Sequence, residues 1–526
     1  MFSLLCMNSS NKIISNTLVI YTRVAITSIV ALLSSRWILQ SLGIADFGIY
    51  NLVAGLLAML MVLNSSMTAA TQRFLSYSIG EGNRNIVKKT FNLSLFLHSF
   101  IGVFIFILIE IVGPIFLLQV LSIPSGREEA ALFCLHCLSV STCFSIISVP
   151  FTAMLFSYEN MVFMSIVQIG EAILKLIAAI FLLNYIGDRL KLYALCITVL
   201  SLFSIILLVV YCRFKYGCCR LSFEGLMDKS YFKSYSTFAF WSLIGSVSTM
   251  LKNQGVAMLL NVFYGVTINA AYGIASQIKG QLMFVSSSIL TAARPQIVQS
   301  EGCGNRLRVL SLSSSASKFS FLLLSYISIP FIVEMPTILQ LWLGIIPQYT
   351  VEFSVLIIIT NLIFQFYVGV SLPFESIGKI KKIQLITGLL NFLVLPIGYV
   401  FLKFGCDPMF LLISVLIEEL VCIFIMIYIS KRVTGMNAKK FIIRTMLPSV
   451  LVVMGTLVIT YFVHFITSNL WSRLLLVVLV SSLILSAFSY LIALEDFEKR
   501  KIDEMIVKIY KRLKLSISGD SMNILI

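Results

Sequence analysis

Apolar runs of about twenty residues, separated by short polar turns, recur along the whole chain, and each is long enough to cross a hydrocarbon layer as a helix. The pattern predicts spans near 15 to 40, 47 to 73, 91 to 121, 129 to 155, 162 to 184 and 191 to 212. After a polar stretch from Arg213 to Ser236 come six more, near 237 to 263, 267 to 292, 316 to 344, 351 to 372, 384 to 402 and 409 to 430, then two last ones near 446 to 466 and 474 to 493. The expected fold is all-α and membrane-embedded, with about 14 transmembrane helices, because helices satisfy their own backbone groups in lipid. The expected divisions are 1–212 (helices 1 to 6), 213–236 (linker), 237–430 (helices 7 to 12), 431–493 (helices 13 and 14) and 494–526 (a basic tail).

The two halves repeat at an offset of about 223 residues. Gly43 and the Gly48-Ile49 step meet Gly265 and Gly273-Ile274; Thr68-Ala69-Ala70 meets Thr291-Ala292-Ala293; Asn83-Arg84 meets Asn305-Arg306. Ile115 to Pro124 meets Ile338 to Pro347, and Pro150-Phe151 meets Pro373-Phe374. An even number of helices per copy leaves both copies in the same orientation, related by an axis along the membrane normal. Two pseudo-symmetric six-helix lobes around a central cavity are therefore expected, with the last two helices as an appendix.

Composition agrees with this picture. Of 526 residues, 59% are hydrophobic and 12% charged, and the mean hydropathy is +0.99, outside the range of soluble domains. The net charge of +16 sits in short clusters between apolar runs, which fits positive-inside sorting and not a nucleic-acid partner. One side of the membrane receives Arg84, Lys88, Lys89, Arg213, Lys215, Arg306, Arg308, Lys379, Lys381, Lys382 and the C-terminal cluster; the other receives only Arg127, Arg189, Lys191, Lys403 and Arg473. Both termini are thus expected in the cytoplasm. Met1 to Asn11 has neither the charged start nor the cleavage site of a signal peptide, and Met7 is an equally acceptable start. The tail from Glu495 to Lys514 alternates apolar and basic positions as a helix lying on the inner leaflet does.

Ionisable residues inside spans are the candidates for function, since each costs about 2.5–3.5 kcal/mol at a helix centre. The first helix carries Asn16, Arg23, Thr27 and Ser34 on one stripe, with Arg36 on nearly the opposite face. Lys279 shares a stripe with Asn269, Tyr272 and Ser276, and Lys252 flanks one made by Ser242, Ser246, Thr249 and Asn253. Arg23, Lys252 and Lys279, with Arg73 and Arg36 near span ends, are the expected binding residues. The acidic counterparts are Glu110, Glu171, Glu334, Glu418 and Glu419. Glu110 and Glu334 occupy nearly equivalent repeat positions, and Glu171 stands four residues before Lys175, the order of an intrahelical ion pair. The eleven cysteines lack metal-ligand spacing, and His98, His136 and His464 read as structural, in apolar surroundings without carboxylate or metal-ligand spacing. No metal, cofactor, nucleotide loop or catalytic group is expected.

Four segments carry a resemblance: Ser66 to Phe74 (SMTAATQRF); Val149 to Ala153 with Glu159-Asn160-Met161; Leu341 to Gly344 with Pro347-Gln348-Tyr349; and Gly378 to Lys382 leading to Leu395 to Tyr399. Together they resemble the bacterial polysaccharide flippases of the multidrug/oligosaccharidyl-lipid/polysaccharide (MOP) exporter superfamily, in particular Wzx-type O-antigen and capsule repeat-unit translocases, over nearly the whole chain. The resemblance implies a V-shaped two-lobe transporter of MATE/MOP type in the bacterial inner membrane, not an enzyme. It implies as substrate an undecaprenyl-diphosphate-linked oligosaccharide, carried from the cytoplasmic to the periplasmic leaflet for surface polysaccharide synthesis, with its headgroup in a basic cavity. The expected partners are this lipid-linked oligosaccharide, the bilayer, a coupling ion (H+ or Na+) sensed by Glu110, Glu334 or Glu171, and polysaccharide polymerase machinery. The rival readings are a MATE-type multidrug or cation antiporter, which favours an acidic cavity, and a membrane polysaccharide polymerase, which favours a larger external loop.

Overall fold

The computed structural model describes residues 9–119, 123, 126–220, 222, 229–500 and 503–504. The readings of the start at Met1 or Met7, of most of the stretch 221–228 and of nearly all of the tail beyond 500 fall outside these residues.

The repeat is visible first in two very long helices. Helix α1 spans Ser9–Gly80 and is broken at Gly43 (φ 76°, ψ 171°). Helix α7 spans Lys229–Gly302 and is broken at Gly265 (φ 78°, ψ −172°). Both glycines sit in a backbone region open essentially to glycine alone, so the shared pair Gly43/Gly265 marks a shared bend. Each long helix ends the same way: a left-handed glycine, Gly82 or Gly304, then Asn83 or Asn305, whose side chain caps the next helix.

Those next helices are α2 (Arg84–Gln119) and α8 (Arg306–Val333). The first half continues with α3 (Glu128–Ile147), α4 (Val149–Ser157), α5 (Met161–Leu183) and α6 (Arg189–Lys215). The second continues with α9 (Met335–Leu343), α10 (Thr350–Ile377), α11 (Lys381–Lys403) and α12 (Met409–Val433). A short α13 (Ala438–Phe441) runs through a π-turn (Ile442–Met446) into α14 (Leu447–His464), followed by α15 (Leu470–Phe488). Eleven stretches of the described helices are long and apolar enough to cross a membrane. The second limb of α1 and both limbs of α7, which carry more polar positions, bring the long limbs to the fourteen the pattern predicts.

Three spans differ from expectation. The run 129 to 155 is two helices, α3 and α4, parted at Ser148 because Pro150 lacks the N–H that continuity needs. The run 316 to 344 is likewise α8 and α9, parted at Glu334 just before Pro336, and α8 starts ten residues earlier than its apolar part. The span from 446 begins at Ala438, carried through basic residues by the π-turn.

Packing divides the molecule by depth. Away from the basic loops each lobe has its own core: Ile38, Val53, Leu117, Leu135 and Tyr193 in the first, and Val256, Ala271, Phe353, Val394 and Leu411 in the second. At the basic face the cores are shared. Tyr235 and Phe238, at the start of α7, pack on Ala70, Phe74 and Leu93 of the first lobe, while Ile13, at the start of α1, packs on a cluster of Ala293, Ile297, Val309 and Val368 in the second. The lobes are therefore joined at the basic face and keep separate cores toward the opposite one. On that opposite face Arg127 holds Asp46 (2.5 Å) and Asp188 (3.0 Å), tying α1, α3 and α6 together.

The last two helices pack on α8. Glu334, fully buried, accepts from His464 of α14 at 2.6 Å and lies 3.1 Å from Arg473 of α15. In the first lobe Glu110 meets His136 at 2.6 Å and also accepts from Ser139. His136 and His464, with no carboxylate at close spacing in the sequence, thus meet one from a distant part of the chain. Glu110, Glu334 and Glu171, which lies 2.7 Å from Lys175, thus have nearby partners.

Candidate functional site

The polar interior lies in the second lobe. Both limbs of α7 face α10, α11 and α12 there, and the serine, threonine and asparagine stripes of these helices turn toward one another. Asn391 of α11 donates to Ser248 (3.2 Å) and Thr249 (3.4 Å) of α7. These bonds line up the first limb of α7 so that Lys252 reaches Glu418 of α12 at 2.7 Å, with both side chains less than a tenth exposed. A buried pair of this kind compensates two desolvation costs at once, and removing one member leaves the other charge stranded.

Two further charges share the same wall. Lys279, on the second limb of α7, and Glu419, next to Glu418, line a cavity of about 240 Å³ together with Lys252, Tyr367 and Gln384. A second cavity, of about 480 Å³, adjoins it at Asn253, Lys279 and Thr360 and extends past Tyr272 and Asn269 toward the bend at Gly265. A third, of about 300 Å³, adjoins it at Phe364, Tyr367 and Gln384 and reaches Arg294 and Glu375 near the basic face. The three share lining residues and follow one another along α7 and α10. Lys279 stands where the first two meet, and among the described residues no carboxylate lies within ion-pair distance of it.

In the first lobe Arg23 donates to the Gln168 side-chain oxygen of α5 at 2.6 Å. An amide partner fixes the guanidinium without neutralising it, so Arg23 keeps its charge for another group. Two residues earlier on α1, Tyr21 donates to the Val285 carbonyl of α7 at 2.6 Å, which sets this part of α1 against the limb that carries Lys279.

The expected binding residues therefore separate. Lys252 and Lys279 share one cavity wall, whereas Arg23 is held against α5 within the first lobe and lines none of the three cavities. Arg36 is exposed. Arg73 donates to backbone carbonyls of α10, Glu375 (3.3 Å) and Ser376 (3.1 Å). What sequence reading missed is Glu418 and Glu419 as the acids of the cavity; their signal was an adjacent acidic pair in the middle of an apolar run.

No protein-family model and no curated protein matches the sequence. Solved structures do match in shape. One of MATE in its bent conformation aligns with a TM-score of 0.73 at 14% identity, over 84% of this chain and 98% of that one. An outward-facing multidrug resistance MATE family transporter of the MOP superfamily aligns at 0.71 and 14% identity, over 82% and 98%. The chain has the MATE transporter fold. A third structure with the MATE-like arrangement, a MOP superfamily transporter from Pyrococcus furiosus, aligns at 0.71 and 13% identity over 82% and 98%, and its binding pocket is described as having reversed polarity, suggesting a different function. The separate cores of the two lobes and the bent α1 and α7 are the local basis of this MATE-like shape.

Proposed function

We propose that this chain is a transporter of the MOP superfamily that flips an anionic lipid-linked oligosaccharide, an undecaprenyl-diphosphate sugar, from the cytoplasmic to the periplasmic leaflet of a bacterial inner membrane. The observation that carries the reading is the pairing pattern of the buried cations: Lys252 is ion-paired with Glu418, whereas Lys279 in the same wall and Arg23 in the first lobe make no ion pair among the described residues. Cations that hold no ion pair at membrane depth are costly, and a visiting anion lowers that cost. A diphosphate on a prenyl chain supplies that anion, and its tail never needs to leave the lipid. In this reading the basic face is cytoplasmic, both termini lie there, and the lobes rock about the central site. The protein is no enzyme. A coupling ion, H+ or Na+, acts on the cavity through Glu418 and Glu419, which line it, in place of Glu110, Glu334 or Glu171.

Glu419 is also the one observation that favours a second reading, export of organic cations, because it places a carboxylate in the same wall. Binding measured on the purified protein separates the two. A prenyl diphosphate that binds the native protein and not the Lys279→Ala variant supports the anionic substrate; organic cations that bind and are lost in Glu419→Gln, with no affinity for the diphosphate, support the other.

A further inference from the structure

We propose that the basic face is closed by a reciprocal gate, two repeat-related latches flanking the crossing of α1 and α7, and that Arg73 is a charged element of it and not a ligand for the substrate. The proposal rests on the alternating-access part of the transport reading and not on the identity of the substrate.

The crossing is made of backbone. A Cβ on Gly80 would lie 2.2 Å from the Gln299 carbonyl oxygen, and one on Gly302 would lie 2.2 Å from that of Tyr77. Gly80 and Gly302 stand 222 positions apart, the offset of the repeat, so the ends of α1 and α7 meet on the pseudo-symmetry axis. Each helix end then grips the other lobe. Arg73, on α1, donates to the last carbonyls of α10, where free carbonyl groups and the helix dipole concentrate negative charge. Gly378, at φ 86°, caps that helix, and a Cβ there would fall 2.8 Å from the Arg73 guanidinium. In return, Gln299 of α7 donates to the Ser157 carbonyl at the end of α4 (2.6 Å), and Gln296, within one residue of the repeat position of Arg73, donates to the buried Glu159 carboxylate just beyond (2.9 Å). Helices α4 and α10 are themselves repeat partners, carrying Pro150 and Pro373.

Two features make this a gate and not permanent glue. The latches themselves are polar groups and close-packed backbone, which exchange for water at small net cost, while the apolar contacts of Phe74 with Tyr235 and Phe238 beside them must part as well. The cavity that reaches the basic face has Glu375 in its wall, and the Glu375 carbonyl is an acceptor of the Arg73 latch, so the latch stands at the edge of that cavity.

Hydrogen–deuterium exchange on the full-length protein in nanodiscs tests the proposal without any ligand. Arg73→Ala is expected to speed exchange about tenfold or more, not only at the end of α10 but also at the opposite latch, residues 157–160 and 296–304, while the separate lobe cores keep native protection. Gln296→Ala is expected to produce the same two-sided pattern from the other lobe, and Arg73→Lys to restore part of the protection. Faster exchange confined to residues 374–378, or none at either latch, overturns the gate. If exchange stays native while prenyl diphosphate binding is lost in Arg73→Ala, Arg73 is a ligand group instead, and the transport reading itself is untouched.

Discussion

At the scale of single residues, the account turns on which buried charges are already neutralised. Lys279→Ala and Arg23→Ala are each expected to abolish transport while the protein still reaches the membrane in normal amount, since neither side chain holds an ion pair that the fold depends on. Measuring surface polysaccharide beside membrane protein level checks this. Lys252 behaves differently: Lys252→Ala strands Glu418 and is expected to cost about 3–5 kcal/mol of stability, whereas Lys252→Met combined with Glu418→Leu recovers most of it. A thermal-unfolding comparison of the single and double variants reads this coupling. Lys252 and Lys279 were legible in the sequence because a lysine in an apolar run stands out. Their fates were not, because Glu418 lies 166 positions from Lys252 and helical periodicity says nothing about which distant helix supplies a partner. The same blindness hid the partners of His136 and His464, which come from α2 and from the junction of α8 and α9.

At the scale of elements, the repeat was the strongest signal, and its glycines proved to be structural devices. Gly43→Ala and Gly265→Ala are each expected to cost about 1–3 kcal/mol through backbone strain alone, since open space surrounds both and no clash adds to it. Similar losses in thermal stability for the two, against little change for Gly48→Ala, are the expected result. Helix number and order were readable from hydropathy, while the breaks at Ser148 and Glu334 were hidden inside apolar runs, where proline is the sole local cue. The clamp on the face opposite the basic one has a pH signature. Burial works against ionisation of Asp188, yet hydrogen bonds from Arg127 and from the Lys191 backbone hold its carboxyl below the usual range. A depressed carboxylate adds stability that is present above its unfolded value, about 3.9, and is lost as pH falls through the folded one. Stability of the native protein is therefore expected to decline below about pH 4, and Asp188→Asn is expected to be less stable at neutral pH with a shallower acid decline.

At the scale of the whole molecule, shared cores at the basic face and separate cores beyond it describe two lobes joined at one side, the form that the proposed transport cycle requires of a closed basic face. In the proposed function, carrying a diphosphate outward moves negative charge along an inside-negative potential, worth about 2.3 kcal/mol per elementary charge per 100 mV. No nucleotide is needed for that step. The most direct measurement reconstitutes the full chain in liposomes with a fluorescent prenyl-diphosphate oligosaccharide and follows its appearance in the opposite leaflet. The account predicts flipping without ATP, faster when the membrane is polarised in the favourable sense, and absent in Lys279→Ala. Flipping that ignores both voltage and ion gradients, or that persists undiminished in Lys279→Ala and Arg23→Ala, would contradict it.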